Sequence, residues 1–294
     1  MATTPVIDFH VHVAQPENYH PWVVEWMQSL VKGASLEEFR NLMRPDALLA
    51  LMDDCGISHA VILPDMHPKT VGVVTNEFVA DFCRGHERLI PFASVNPHLV
   101  PSPREELRRC LDDLGMRGLK MAPTYAHFYP NDPSLYPLYA LAEERQIPVM
   151  FHTGSSVFKG AKIKFGEPVL LDEVAVDFPN LTIILVHSGR GFWYDQAAFL
   201  ARLHPNMYME LAGLPPQKLL TYFPELERLA DKVLFGSDWP GLPSLKKNIE
   251  DIRALPLSDE AKEKILYRNA ARLLGIQISD GNSASSHHRK ETNR

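Results

Sequence analysis

Cysteine is scarce in this chain. Its 294 residues include three, Cys55, Cys83 and Cys110, widely spaced and without a CxxC pair, which excludes a disulfide framework and a cysteine-built zinc knuckle. No window of about 18 consecutive apolar residues occurs, the length a membrane-crossing helix needs, so no membrane partner is expected. Positive charge is in deficit: 30 Lys and Arg against 36 Asp and Glu leave a net charge of −6. Nucleic acid, which needs a basic face, is therefore not an expected partner. Neither GxGxxG nor GxxxxGK[ST] is present, which weighs against an open nucleotide-binding sheet. The opening Met1-Ala2-Thr3-Thr4-Pro5 has no basic, apolar leader pattern. Together with reduced cysteines, this predicts a cytoplasmic protein.

What the chain does have is 45% hydrophobic residues, arranged in short runs. Eight runs read as strands: Val6–Val13, His59–Pro64, Leu89–Val95, Arg117–Ala122, Ile147–His152, Leu181–His187, Met207–Leu211 and Val233–Asp238. Helical stretches follow them, among them Pro45–Cys55 (ended by Gly56), one capped by Thr75, one begun at Ser102-Pro103, and predicted helices over Pro168–Phe178 and Pro216–Leu229. Most strands are continuously apolar, as strands buried on both faces are. Strict β-α alternation at this length predicts the α/β class and a (β/α)8 TIM barrel, one domain over residues 1–278. The stretch from about 14 to 44 is an insertion, rich in aromatics and broken by Pro16, Pro21 and Gly33. It follows the first strand and is expected to fold over that strand's end. Residues 279–294 contain no large apolar side chain and are expected to form a disordered tail.

The first strand carries His10 and His12, which share a face because strand side chains alternate. Alone, the pair is compatible with two satisfied core histidines or with the start of a metal site. Later strands decide between them. His152 closes the fifth run, His187 the sixth and Asp238 the eighth. In such a barrel catalytic groups stand at the C-terminal strand ends. Polar groups gathered there without a shared ligand would be buried unpaired, so the pattern points to a metal centre.

H-x-H, a histidine after each of strands five and six, and Gly236-Ser237-Asp238 on strand eight together resemble the amidohydrolase superfamily. Within it the chain is similar to the metal-dependent group that includes aminocarboxymuconate semialdehyde decarboxylase and dicarboxylate lactonases. The likeness spans Val6 to Leu274 and includes the closing Asn269-Ala-Ala-Arg-Leu-Leu274. It implies that His10, His12, His152 and Asp238 ligate one divalent metal, Zn2+ by default with Mn2+ as the alternative, and that His187 is catalytic or supports the ligands from behind. Lys120 occupies the position where binuclear members carry a carboxylated lysine; a substrate contact and a structural role stay open beside that. A metal-dependent hydrolase is the first expectation, acting on a small carboxylated, lactone, ester or amide substrate. Asp238 would take the proton of an activated water and His187 would bind the carbonyl oxygen. A metal-dependent non-oxidative decarboxylase of a small carboxylic acid, aromatic acids included, is the alternative.

Either substrate class needs a cationic clamp, best supplied by a forked guanidinium. Arg190, three residues past His187, is the candidate, with Arg44 behind it. Lys120, Tyr125, Phe158, Trp193 and Trp239 follow or end strands and are candidate substrate contacts. Glu210 is a candidate hydrogen-bond partner for a ligand histidine. A small molecule is thus the expected partner. Dimers are common in this group, so a homodimer is a further expectation.

Overall fold

A computed structural model describes residues 4–30 and 35–277. The predicted tail, residues 279–294, lies outside the described residues. Strands β1 (Val6–His12) and β2 (Ile57–Leu63) pair in parallel, and a small antiparallel hairpin, β3 (Asp65–His67) with β4 (Gly72–Val74), follows β2. The third barrel strand is split by Phe92 into β5 (Leu89–Pro91), which pairs with β2, and β6 (Ala93–Ser94), which pairs with β7 (Leu119–Met121). Then come β8 (Val149–Gly154), β9 (Ile183–Arg190), β10 (Met207–Glu210) and β11 (Val233–Leu234), all parallel.

The barrel closes between the last strand and the first. Phe9 N donates to Phe235 O, Asp238 N to His10 O and His12 N to Trp239 O. Inside lie Ile7, Phe9, Val61, Leu63, Phe92, Met150, Val186 and Leu234, with Tyr267, Ala270 and Leu274 of the last helices packed against them. The (β/α)8 barrel expected from the alternation is the fold observed.

Two predicted helices are interrupted. Pro216–Leu229 becomes a 3-10 turn, Pro216–Lys218, and one α-helical turn, Leu219–Tyr222, with no helix over 223–229. Pro224 lacks the N–H that the next turn needs and disfavours the helical region for the residue before it. Pro168–Phe178 begins as a 3-10 turn and is α-helical only over Asp172–Asp177. No helix among the described residues is long and apolar enough to cross a membrane.

Candidate active site

The two first-strand histidines owe their orientation to a bulge. From Asp8 to Val11 β1 advances three residues while its partner β2 advances two, Ala60 to Ile62. A bulge of this kind re-aims side chains at a barrel rim. It lets Phe9 point into the barrel core while His10 and His12 both line the cavity above it. Asp8 holds the bulge: its Oδ1 accepts from His10 N (3.1 Å) and Ser237 N (2.9 Å), tying β1 to the end of the last strand.

The nitrogens converge. His10 Nε2 is 3.0 Å from His12 Nε2 and 3.3 Å from Asp238 Oδ1, and His12 Nε2 is 3.6 Å from the same oxygen. The opposite ring edges face carboxylates. His10 Nδ1 lies 3.5 Å from Glu210 Oε2, and His12 Nδ1 lies 3.1 Å from Asp65 Oδ2. A carboxylate stands behind each imidazole, close enough to favour the tautomer with the proton on Nδ1 and the Nε2 lone pair facing the cavity, although neither Nδ1 makes a well-directed hydrogen bond to it. Tyr19 Oη donates to Asp65 Oδ2 at 3.0 Å. His187 is set the same way, its Nδ1 donating to Ala212 O at 2.7 Å. His152 Nε2 is buried without a partner, and its ring centroid is 4.7 Å from that of His187.

Burial pushes His10, His152 and His187 well below the usual histidine range, so all three stay neutral donors of lone pairs. Burial also acts on His12 and Asp65. Their mutual contact outweighs it, raising the imidazole and lowering the carboxyl to about 2. Lys120 sits at the bottom, its Nζ 3.4 Å from His10 Nε2, and burial lowers it while burial raises Glu210.

Backbone strain is concentrated here. His187, Ser188 and Asp238 have φ of 61°, 48° and 65°, in the left-handed region that side-chain-bearing residues rarely occupy. Two glycines make room. A Cβ on Gly236 would collide with Glu210 Oε1, and one on Gly213 would lie 2.6 Å from Arg190 Nη1 and 3.0 Å from Asp238 Oδ2.

The donor set suits a divalent metal. A buried imidazole nitrogen with no partner, two Nε2 atoms face to face and a carboxylate oxygen among them match the imidazole-and-carboxylate chemistry of such sites. One ligand atom each from His10, His187 and Asp238 also falls within 4.8 Å of the others, so His187 stands nearer the centre than the sequence suggested.

Around this centre is a cavity of about 180 Å³. Of the candidate substrate contacts, Lys120, Tyr125, Phe158 and Arg190 line it. Trp239 and Trp193 do not, which corrects the expectation. Trp239 is 7% exposed in the apolar core, its backbone bridged to Val11, and Pro240 and Gly241 face the cavity in its place. The Trp193 backbone N–H donates to Gly189 O and its ring leans on Phe192. Arg44 pairs with Asp46 on the surface. From the insertion, helix α1 (Pro21–Leu30) contributes Trp26 and Met27 to the wall. The sequence reading missed Asp65 and His67. The same strand-end rule would have found Asp65, the residue after Pro64 that closes the second apolar run.

Residues 7–276 match the family model described as Amidohydrolase. The chain is 25% identical over 298 residues to gamma-resorcylate decarboxylase of Rhizobium sp. (strain MTP-10005), covering 81% of this chain and 89% of that protein. An uncharacterized TIM-barrel protein, Bb4693 from Bordetella bronchiseptica, superposes with a TM-score of 0.77 and 26% identity over 92% of this chain and 99% of that one. A dihydroxybenzoic acid decarboxylase from Polaromonas sp. JS666, solved with bound manganese, has a TM-score of 0.66 and 18% identity over 93% and 98%. The barrel, its closure and the family match over nearly all its length make this chain a member of the amidohydrolase family.

Proposed function

We propose that this protein is a metal-dependent, non-oxidative carboxy-lyase that removes CO2 from a small aromatic carboxylic acid. One observation carries the reading: two cationic side chains, Lys120 and Arg190, open onto the same small, aromatic-walled cavity as the imidazole cluster and Asp238. A cavity on the order of 150 Å³ holds a benzene-sized ring, so about 180 Å³ suits a single substituted ring. Relatives it resembles, gamma-resorcylate decarboxylase among them, are decarboxylases, which favours this reading over hydrolysis.

His10, His12, His152 and Asp238 would hold the metal, Mn2+ or Zn2+. A divalent ion there supplies positive charge to a substrate oxygen and draws electron density from the ring. Arg190 is fixed in place by Ser155 O, which accepts from its Nε (3.3 Å) and Nη2 (2.9 Å), leaving the Nη1 and Nη2 edge to hold a carboxylate. Asp238, whose side chain is 22% exposed, can take a proton from solvent and deliver it to the ring carbon that bears the carboxylate. The new C–H bond forms, the C–C bond to the carboxylate breaks, its electron pair returns to the ring and CO2 leaves. His187, neutral and with its Nδ1 proton held by Ala212 O, offers an Nε2 lone pair that accepts from a substrate hydroxyl. Phe158 and Tyr125 pack on the ring and exclude water.

The test is to incubate manganese- or zinc-loaded protein with hydroxybenzoates, lactones and aryl esters, recording CO2 and acid release separately. CO2 evolved one-for-one with acid consumed is expected. Acid release from lactones or esters without CO2 would overturn the proposal in favour of hydrolysis.

A further inference from the structure

One wall of the cavity takes no part in the chemistry above. β3 leaves the top of β2, and its third residue, His67, is 2% exposed and lines the cavity. Its Nδ1 is buried with no well-formed hydrogen bond, and the neighbouring Met66 backbone acts on the ring less than burial and the charges around it do. Its Nε2 stands 3.9 Å from Asp65 Oδ1, beyond hydrogen-bond reach. Burial pulls this imidazole down to about 4, so at neutral pH it offers one N–H and one lone pair. The Tyr125 ring lies 5.6 Å away on the same wall. The Tyr125 hydroxyl accepts from Ser156 Oγ at 3.1 Å, which leaves its own proton to be donated.

Buried polar atoms in native folds are nearly always paired. Unpaired ones that line a cavity mark where a ligand atom completes the bond. His67 belongs neither to the imidazole cluster nor to the cationic pair, so its partner is a different part of the substrate from the reacting carboxylate.

We propose that His67 is a specificity-determining residue that hydrogen-bonds a hydroxyl or oxo substituent on the substrate ring, selecting hydroxylated aromatic acids over unsubstituted ones. The inference rests on the reading that the cavity takes an aromatic acid. A neutral imidazole satisfies a hydroxyl in either role. A site built to bind a hydroxyl discriminates strongly against the analogue without it, because the buried group is then left unpaired.

The experiment is calorimetric titration of manganese-loaded full-length protein with benzoate and with 2-, 3- and 4-hydroxybenzoate. At least one hydroxy isomer should bind about tenfold tighter than benzoate, and His67→Phe should abolish that advantage while moving benzoate affinity by less than about threefold. His67→Gln, which keeps a donor and an acceptor, should retain part of it. Should the Phe variant fail to fold, His67→Ala makes the same comparison. The proposal is overturned if wild type gains nothing from any hydroxyl, or if the variant keeps the advantage. It is equally overturned if all four ligands weaken alike, which would mean that His67 only packs. A hydroxyl preference lost on substitution, in a protein that releases no CO2, would sink the carboxy-lyase reading and leave this one standing.

Discussion

Glu210 reaches His10 only because residue 236 is glycine. The carboxylate lies 3.5 Å from the imidazole Nδ1, and a methyl group on Gly236 would collide with its Oε1 and come within 2.8 Å of the His10 Cβ. Glu210 also accepts from the backbone N–H groups of His187 (3.2 Å) and Ala212 (3.0 Å). One buried carboxylate therefore sets the orientation of His10 and holds the backbone of strained His187.

Gly236→Ala should displace that carboxylate. Partners behind ligand histidines are worth about 10–100-fold in metal affinity or activity, and overpacking a tight site costs about 1–3 kcal/mol. A metal titration of the purified variant should show weaker binding, with a lowered Tm. Unchanged metal affinity in a folded variant would mean that Glu210 does not orient His10.

The same logic applies to His12 through a longer chain. Tyr19 donates to Asp65, and Asp65 faces His12 Nδ1. The segment carrying Tyr19 approaches the hairpin closely at Gly72, where an added Cβ would run into Asn18 O. Asp65→Asn should weaken metal binding by about 10–100-fold, and Tyr19→Phe by the smaller share of one neutral hydrogen bond, about 1 kcal/mol. Metal retention after graded chelator treatment ranks the two. Equal effects would argue that both act through general destabilisation.

What was legible in the sequence follows from how these residues are displayed. His152, His187 and Asp238 each end a long apolar run, so their polarity stood out. The barrel was legible because eight runs buried on both faces leave little choice of fold. His67 was hidden because it sits on a three-residue hairpin strand, too short for a periodic signal, whereas Asp65 follows the second apolar run and was within reach of the strand-end rule. Trp239 was misplaced for a conformational reason. Asp238 adopts φ 65°, which turns the chain and sends the next side chain into the core, and no residue pattern encodes that turn. The collapse of the helix after Pro216 is readable from Pro224.

Gly213 carries a prediction about the substrate end of the site. Gly213→Ala adds a methyl 2.6 Å from Arg190 Nη1 and 3.0 Å from Asp238 Oδ2 at φ +66°. Gly56→Ala is the matched control: its φ is +71°, and nothing lies within 4 Å of the added carbon. Both should lose roughly 1 kcal/mol of stability from the left-handed backbone. Only Gly213→Ala should lose activity, by at least about tenfold in kcat/KM, equivalent to ~1.4 kcal/mol of transition-state stabilisation. Parallel loss in both variants would trace the effect to backbone strain and remove Arg190 and Asp238 from the explanation.

Asp238 is the residue on which the proposed chemistry turns. Asp238→Asn keeps the shape and an oxygen near His10 and His12, and removes the acid that would protonate the ring carbon. Loss of a general acid costs about 10²–10⁴ in rate, so turnover should fall by that range while Tm stays close to the wild-type value. Because Asp238 Oδ1 also faces both imidazoles at 3.3 and 3.6 Å, metal content must be measured on the same sample. A variant that keeps its metal, binds a hydroxybenzoate and does not turn over separates proton delivery from ligation. If it keeps its metal and its rate, another group supplies the proton, and Lys120, whose Nζ stands 3.4 Å from His10 Nε2 and which burial lowers to about 8, becomes the next residue to substitute.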